Sequence, residues 1–226
     1  MPDYRIRFVK GNELKYLSHL ELIRAIERAL RRGNLPLAFS EGFHPHAKLS
    51  FGPALAVGIS SQDEYFDLQL TEDWNQEKVV SVLNSTLPRG IAVVEGRKCS
   101  QKVKPLNAII NRAAYLVELF VPAEDRNLVI EELTSIVNRK EVIVTRTNKN
   151  GQKQVNIRQL LHNLKIEIIS EDIIQLELIG KIGNDGNFRP EEIVNLLPRT
   201  VEIINLIRTG LWYEEQEQII RPLDLC

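Results

Sequence analysis

The stretch DYRIRFVKGNELKYLSHLELIRAIERALRRG, residues 3–33, holds two hydrophobic periods in succession. Tyr4, Ile6 and Phe8 alternate with Arg5, Arg7 and Val9, the period-two pattern of a half-buried strand. Ser18 followed three residues later by Glu21 forms a capping box, and Leu22, Ile23, Ile26, Ala29 and Leu30 then give a helical stripe that stops at Gly33. A strand over 3–10 and a helix over 19–32 therefore open the chain. Pro36, Gly42, Pro45, Gly52 and Pro53 interrupt the next stretch, so the second strand is expected in pieces, AKLSF and ALAVGI. Alternation over 64–70, a short helix over 76–86 and a strand over 90–97 complete the order β-α-β-β-α-β, in which two helices cover one face of a four-stranded antiparallel sheet.

The pattern then repeats. Strands are expected over 114–121 and 142–147, with a helix over 123–138 between them. A short helix over 157–163 precedes strands 165–169 and 173–179, paired through Ser170-Glu171-Asp172. Pro190 opens a further helix, and a last strand starts at Val201. The expected fold is α+β, two tandem ferredoxin-like domains with antiparallel sheets. The first spans 1–98, a basic linker 99–112, the second 113–213 with an insertion, and an acidic tail 214–226.

Composition narrows the function classes. Of 226 residues, 43% are hydrophobic and 26% charged, which is ordinary for a globular protein. No apolar run approaches the roughly 20 residues that span a bilayer, and MPDYRIRFVKG lacks the apolar core of a signal peptide, so no membrane partner and a cytoplasmic address are expected. Cys99 and Cys226 stand far apart, which suggests neither a disulfide framework nor a CxxC metal site and excludes an in-chain three-cysteine iron–sulfur motif. No cofactor is expected on the chain itself.

The net charge is −1, but its distribution is uneven. Residues 1–50 carry nine Lys and Arg against five Asp and Glu. Residues 97–112 hold Arg97, Lys98, Lys102, Lys104 and Arg112 with no acid, and residues 139–158 hold Arg139, Lys140, Arg146, Lys149, Lys153 and Arg158 against Glu141 alone. Arg24, Arg28 and Arg31 share a face of the first helix and would grip phosphates as a ridge, joined by Lys48, Lys102, Lys104 and Arg146. The opposing reading is ordinary solvation, with Glu21 and Glu27 pairing the arginines at helical spacing.

The stretch from Leu14 to Leu70, LKYLSHLELIRAIERALRRGNLPLAFSEGFHPHAKLSFGPALAVGISSQDEYFDLQL, closely resembles the opening of the radical-SAM-linked domain family. VNIRQLL (155–161) and GNFRPEEIVNLL (186–197) resemble its later motifs. Members of that bacterial family of unknown function stand alone or form the C-terminal part of cobalamin-binding radical SAM proteins. The resemblance implies a cobalamin-binding radical SAM protein as partner, and any cluster chemistry then belongs to that partner.

Two turns, Gly42-Phe43-His44-Pro45-His46 and Ser50-Phe51-Gly52-Pro53, would let a ligand or a stacked base approach the backbone, which makes Phe43, His44, His46 and Phe51 the expected pocket. The alternative is that the aromatics plug the sheet edge. His19 and His46 are candidates for acid–base work, and His19, His44 and His46 for metal binding, with Arg5 or Lys48 holding an anionic substrate. Arg189, ahead of the helix at Pro190, is a candidate anion contact. No GxGxxG, P-loop, GxSxG or HExxH is present. The leading expectation is an accessory protein that uses its two sheets and basic segments to bind RNA or present a substrate. The competing ones are an enzyme, for example in RNA processing, and a pure protein-docking module.

Overall fold

A computed structural model describes residues 1–101, 103–148 and 151–226. The elements are β1 (Asp3–Lys10), α1 (His19–Arg32), β2 (Leu49–Phe51), β3 (Ser60–Gln69), α2 (Gln76–Thr86), β4 (Ile91–Lys98) and α3 (Leu106–Ile109). After them come β5 (Arg112–Phe120), α4 (Arg126–Asn138), β6 (Ile143–Asn148), β7 (Gly151–Asn156), β8 (Leu161–Ile168), β9 (Ile173–Lys181), α5 (Pro190–Val194), β10 (Glu202–Glu215) and β11 (Gln218–Ile220). The chain divides into two compact units: Met1–Asn111 with Arg208–Cys226, and Arg112–Ile207. Among the described residues no helix is long and apolar enough to cross a membrane.

In the first unit the strands run β4-β1-β3, with β2 against β3, the ferredoxin-like order. Tyr4, Ile6, Phe8, Phe66 and Leu68 project from one sheet face into a core closed by Leu22, Ile26 and Leu30 of α1 and Val79 and Leu83 of α2. The second strand is shorter than expected. AKLSF supplies β2, whereas ALAVGI is a loop, because Pro53 and the left-handed Gly58 (φ +93°) break extended pairing while Leu55 and Ile59 stay buried.

The opposite face of this sheet is covered as well. Residues 104–110 and 222–223 lie over it, with Leu106, Ile109, Ile110, Pro222 and Leu223 buried. Arg5, fully buried, holds Asp67 through Nε at 2.7 Å and Nη2 at 2.9 Å, and donates to the carbonyls of Pro222 (2.8 Å) and Lys104 (3.1 Å). Arg5 is therefore unavailable to a substrate anion, and this face cannot serve as an open RNA platform. Beside it Arg7 pairs with Asp63 (2.6 Å), which also accepts from the Tyr65 hydroxyl (2.7 Å) and the Leu211 amide (2.7 Å). Cys99 and Cys226 form a disulfide, Cα–Cα 4.4 Å, against the expectation that they stay unpaired. Their separation of 127 residues hides the pairing in the sequence, and the returning segment 208–226 creates it.

The second unit orders its strands β10-β5-β9-β8, again ferredoxin-like, β10 belonging to it over residues 202–207, with α4 burying Val129, Leu133 and Ile136. The insertion is the β6–β7 hairpin, which forms its own two-stranded sheet. β7 escapes the sequence reading because GQKQVN lacks an apolar alternation. The helix expected over 157–163 is a single 3-10 turn, Ile157–Gln159, and β8 begins at Leu161. Phe188, of the GNFRP motif, is buried against Tyr115 and the backbone of Gly180, where any side chain would collide with its ring.

Replacing Arg5 by Met leaves a buried carboxylate and two carbonyls without their donor, and urea denaturation is expected to show a loss of about 3–5 kcal/mol. Arg5→Met with Asp67→Leu is expected to recover most of it, because a packed apolar pair replaces the ion pair. A loss under about 1 kcal/mol for Arg5→Met would mean that the clamp does not hold the covering segments.

Candidate nucleic-acid interface

Helical periodicity dictates which face of α1 meets solvent. Ser18 accepts from the Glu21 amide, and the Glu21 carboxylate accepts from the Ser18 amide (2.9 Å) and hydroxyl (2.7 Å), so the helix starts at His19 as its capping box requires. Leu22, Ile26, Ala29 and Leu30 then face the sheet, which turns Arg24, Arg28 and Arg31 outward and leaves all three exposed. Their guanidinium groups make no hydrogen bond or ion pair among the described residues.

The neutralising acids are engaged elsewhere or apart. Ser18 holds the Glu21 carboxyl below its ordinary range, with Arg24 adding a smaller pull, and Glu27 ion-pairs with none of the arginines. Among the described residues the helix face is therefore solvated rather than salt-paired. Leu17, Glu21, Arg24, Ala25 and Arg28 line a groove of about 370 Å³ on this face. At its N-terminal end Tyr16 is 73% and Leu20 54% exposed, and the Lys15 ammonium lies 5.3 Å from the Tyr16 ring centre. Arg32 instead donates to the Thr86 carbonyl.

A second exposed feature is the loop 40–46. The Ser40 amide donates to the His46 carbonyl (2.8 Å), the His46 amide to the Ser40 hydroxyl (3.0 Å), and Phe39 bridges Ala47. Gly42 takes φ +117° at the turn, a conformation side chains resist. Phe43 consequently stands fully exposed on a closed loop, with His44, His46 and Lys48 exposed around it.

Phe51, expected in the same pocket, lies elsewhere. It stacks on Phe66 (centroids 5.4 Å, 27°) and meets the edge of His19 (6.0 Å, 87°). No hydrogen bond or ring contact joins His19 to His44 or His46, and among the described residues no group of three or more His, Cys, Asp and Glu is placed to hold a metal. Burial pushes the His19 pKa down, Arg208 and Lys10 push the same way, and Glu64 opposes them.

Those neighbours were missed in the sequence. Lys10 is buried with its ammonium on the carbonyls of Lys15 (3.2 Å), Leu17 (3.0 Å) and Ile59 (3.3 Å), which ties the α1 entry to the loop before β3. Burial lowers its pKa, against the pull of Glu64. Arg208 is buried, bonding Glu64 through Nε (2.7 Å) and the Pro53 carbonyl through Nη2 (3.0 Å). The signal for Lys10 was present, since it continues the Tyr4, Ile6, Phe8 phase; nothing local marks Arg208.

The other candidates are dispersed. Lys48 lines a groove of about 420 Å³ with Asp3, Ser50, Asp67 and Gln69. Lys104 lines one of about 390 Å³ with Tyr213, Asp224 and Cys226. Arg146 is engaged by Glu192 (Nε 2.6 Å, Nη2 2.7 Å) and the Asn187 carbonyl (2.8 Å). Arg189 is exposed at the start of the five-residue α5. Lys102 and Lys149 lie outside the described residues.

Two sets of strands in the order 4-1-3-2, each from a βαββαβ unit, define an α+β protein of tandem ferredoxin-like folds. Residues 3–190 match the family DUF2344, described as an uncharacterized protein conserved in bacteria, and the chain belongs to that family. No curated protein matches it in sequence. Among solved structures it is similar to a chain of a Cbf5-Nop10-Gar1 complex, at TM-score 0.52 and 13% identity, over 95% of this chain and 50% of that one. It also resembles a chain of an H/ACA RNP bound to a substrate RNA containing 2'-deoxyuridine, at TM-score 0.49 and 11% identity, over 92% and 47%. The chain spans about half the length of these solved chains.

Because the folded pKa of His19 lies below the unfolded value of 6.5, the neutral ring favours the fold above pH 6.5 and that contribution is lost as pH falls through the folded value. NMR titration is expected to give His19 a pKa below 6.5. Acidification from about pH 7 to 5 is expected to destabilise wild type more than His19→Gln in thermal melts. Equal losses in the two proteins would remove His19 from the acid response.

Proposed function

We propose that this protein is an RNA-binding accessory to a cobalamin-binding radical SAM partner, with the arginine ridge of α1 as its phosphate grip. The observation that carries the reading is that Arg24, Arg28 and Arg31 stand exposed on one helix face and make no ion pair among the described residues. Arg24 and Arg28 are four residues apart, a rise of roughly 6 Å, so the helix offers a row of cations rather than a point. Such a row binds a phosphate backbone through counterion release, whatever the base sequence. Phe43 supports the reading because an exposed ring on a braced loop can stack on a base at little entropic cost. The partner is supported by the family phrases in residues 14–70, 155–161 and 186–197.

Fluorescence anisotropy with single-stranded and hairpin RNA tests the ridge. For Arg24→Gln/Arg28→Gln/Arg31→Gln, binding is expected to weaken and the slope of log K against log salt to fall by about 2, at roughly 0.7 per lost single-strand phosphate contact. Phe43→Ala is expected to weaken binding with the slope unchanged. An unaltered affinity and slope in the triple variant would dismiss the ridge. A radical SAM enzyme retained from nuclease-treated lysate, by a protein that binds no RNA, would make this a docking subunit instead.

A further inference from the structure

We infer that β8 is a pairing edge for a second copy of this chain, joined antiparallel about Ile166 to extend the sheet of the Arg112–Ile207 unit. β8 ends the strand order β10-β5-β9-β8, so among the described residues one of its edges is unpaired along eight residues that include no proline or glycine. The core also runs out there. Leu164, Ile166 and Ile168 lie opposite buried Leu178, Leu176 and Ile174 of β9, yet Leu164 and Ile166 are only half-buried and Ile168 is 53% exposed.

A lysine on an edge strand ordinarily discourages pairing. Here Lys165 faces Glu177 of β9, 3.6 Å away, so the cation leans over its own sheet rather than out from the edge. Charge then selects the register. Antiparallel partners must keep side chains on matching faces, so the dyad falls on one residue. Centred on Lys165 it sets lysine against lysine, and centred on Glu167 it sets glutamate against glutamate. Centred on Ile166 it sets Lys165 opposite Glu167 twice and Leu164 opposite Ile168 twice. Each Lys165 would then stand between Glu177 of its own chain and Glu167 of the other, and Ile168 would gain the apolar cover it lacks.

Sedimentation velocity over a concentration series tests this with charge swaps. Wild type is expected to form a dimer, and Glu167→Lys and Lys165→Glu, each folded by circular dichroism, are expected to be monomers. Mixing the two variants in equal amounts is expected to restore a dimer, because all opposed charges again attract. A wild type that stays monomeric throughout, a Glu167→Lys protein that still dimerises, or a mixture that remains monomeric overturns the proposal.

Discussion

The ion pair between Arg5 and Asp67 sits between the sheet of the first unit and the two segments that cover its helix-free face. Its guanidinium spans both, holding the carboxylate on β3 and the carbonyls of Lys104 and Pro222. A charge this deep is tolerable only when its donors are used, since stranding one partner costs several kcal/mol. The covering segments must therefore keep their course, and with them the positions of α3 and the final residues. A ferredoxin-like sheet that would otherwise present an open face is finished on both sides, so that face is not an open platform for a ligand.

On the helical side, competition for one acid sets the electrostatics. Glu21 could pair an arginine one turn on, but the capping box claims it, because an N-cap satisfies backbone donors that have no other partner. The same interaction that fixes the start of α1 thus holds Glu21 at the cap, and no ion pair joins it to the outer arginines among the described residues. Structure and charge presentation share a residue, and the ridge is a by-product of good helix initiation.

The range of each interaction decided how legible it was in the sequence. Local patterns read well: the alternation of Tyr4, Ile6 and Phe8, the Ser18–Glu21 box and the βαββαβ order all appear as expected. So did the exposed arginine face, since a 3.6-residue period fixes the outside once the inside is known. The misreadings depended on distant partners. Arg5 looked like a free cation because Asp67, Lys104 and Pro222 lie 62, 99 and 217 residues away. Arg146 looked basic until Glu192 met it, and Phe51 looked like a neighbour of Phe43 because proximity in sequence says little across a proline-rich loop.

The first unit is interrupted in sequence, closing only when Arg208–Cys226 rejoins Met1–Asn111. On a ribosome this ordering matters. At typical elongation rates the intervening segment takes on the order of ten seconds to synthesise, and during that interval Arg5 and the underside of its sheet lack the segment that seals them. The Arg112–Ile207 unit, whose parts are contiguous, can complete its core first. The Arg112–Ile207 unit can therefore close while the first unit still waits for residues 208–226, which leaves β1 and β3 unsealed for the longer time.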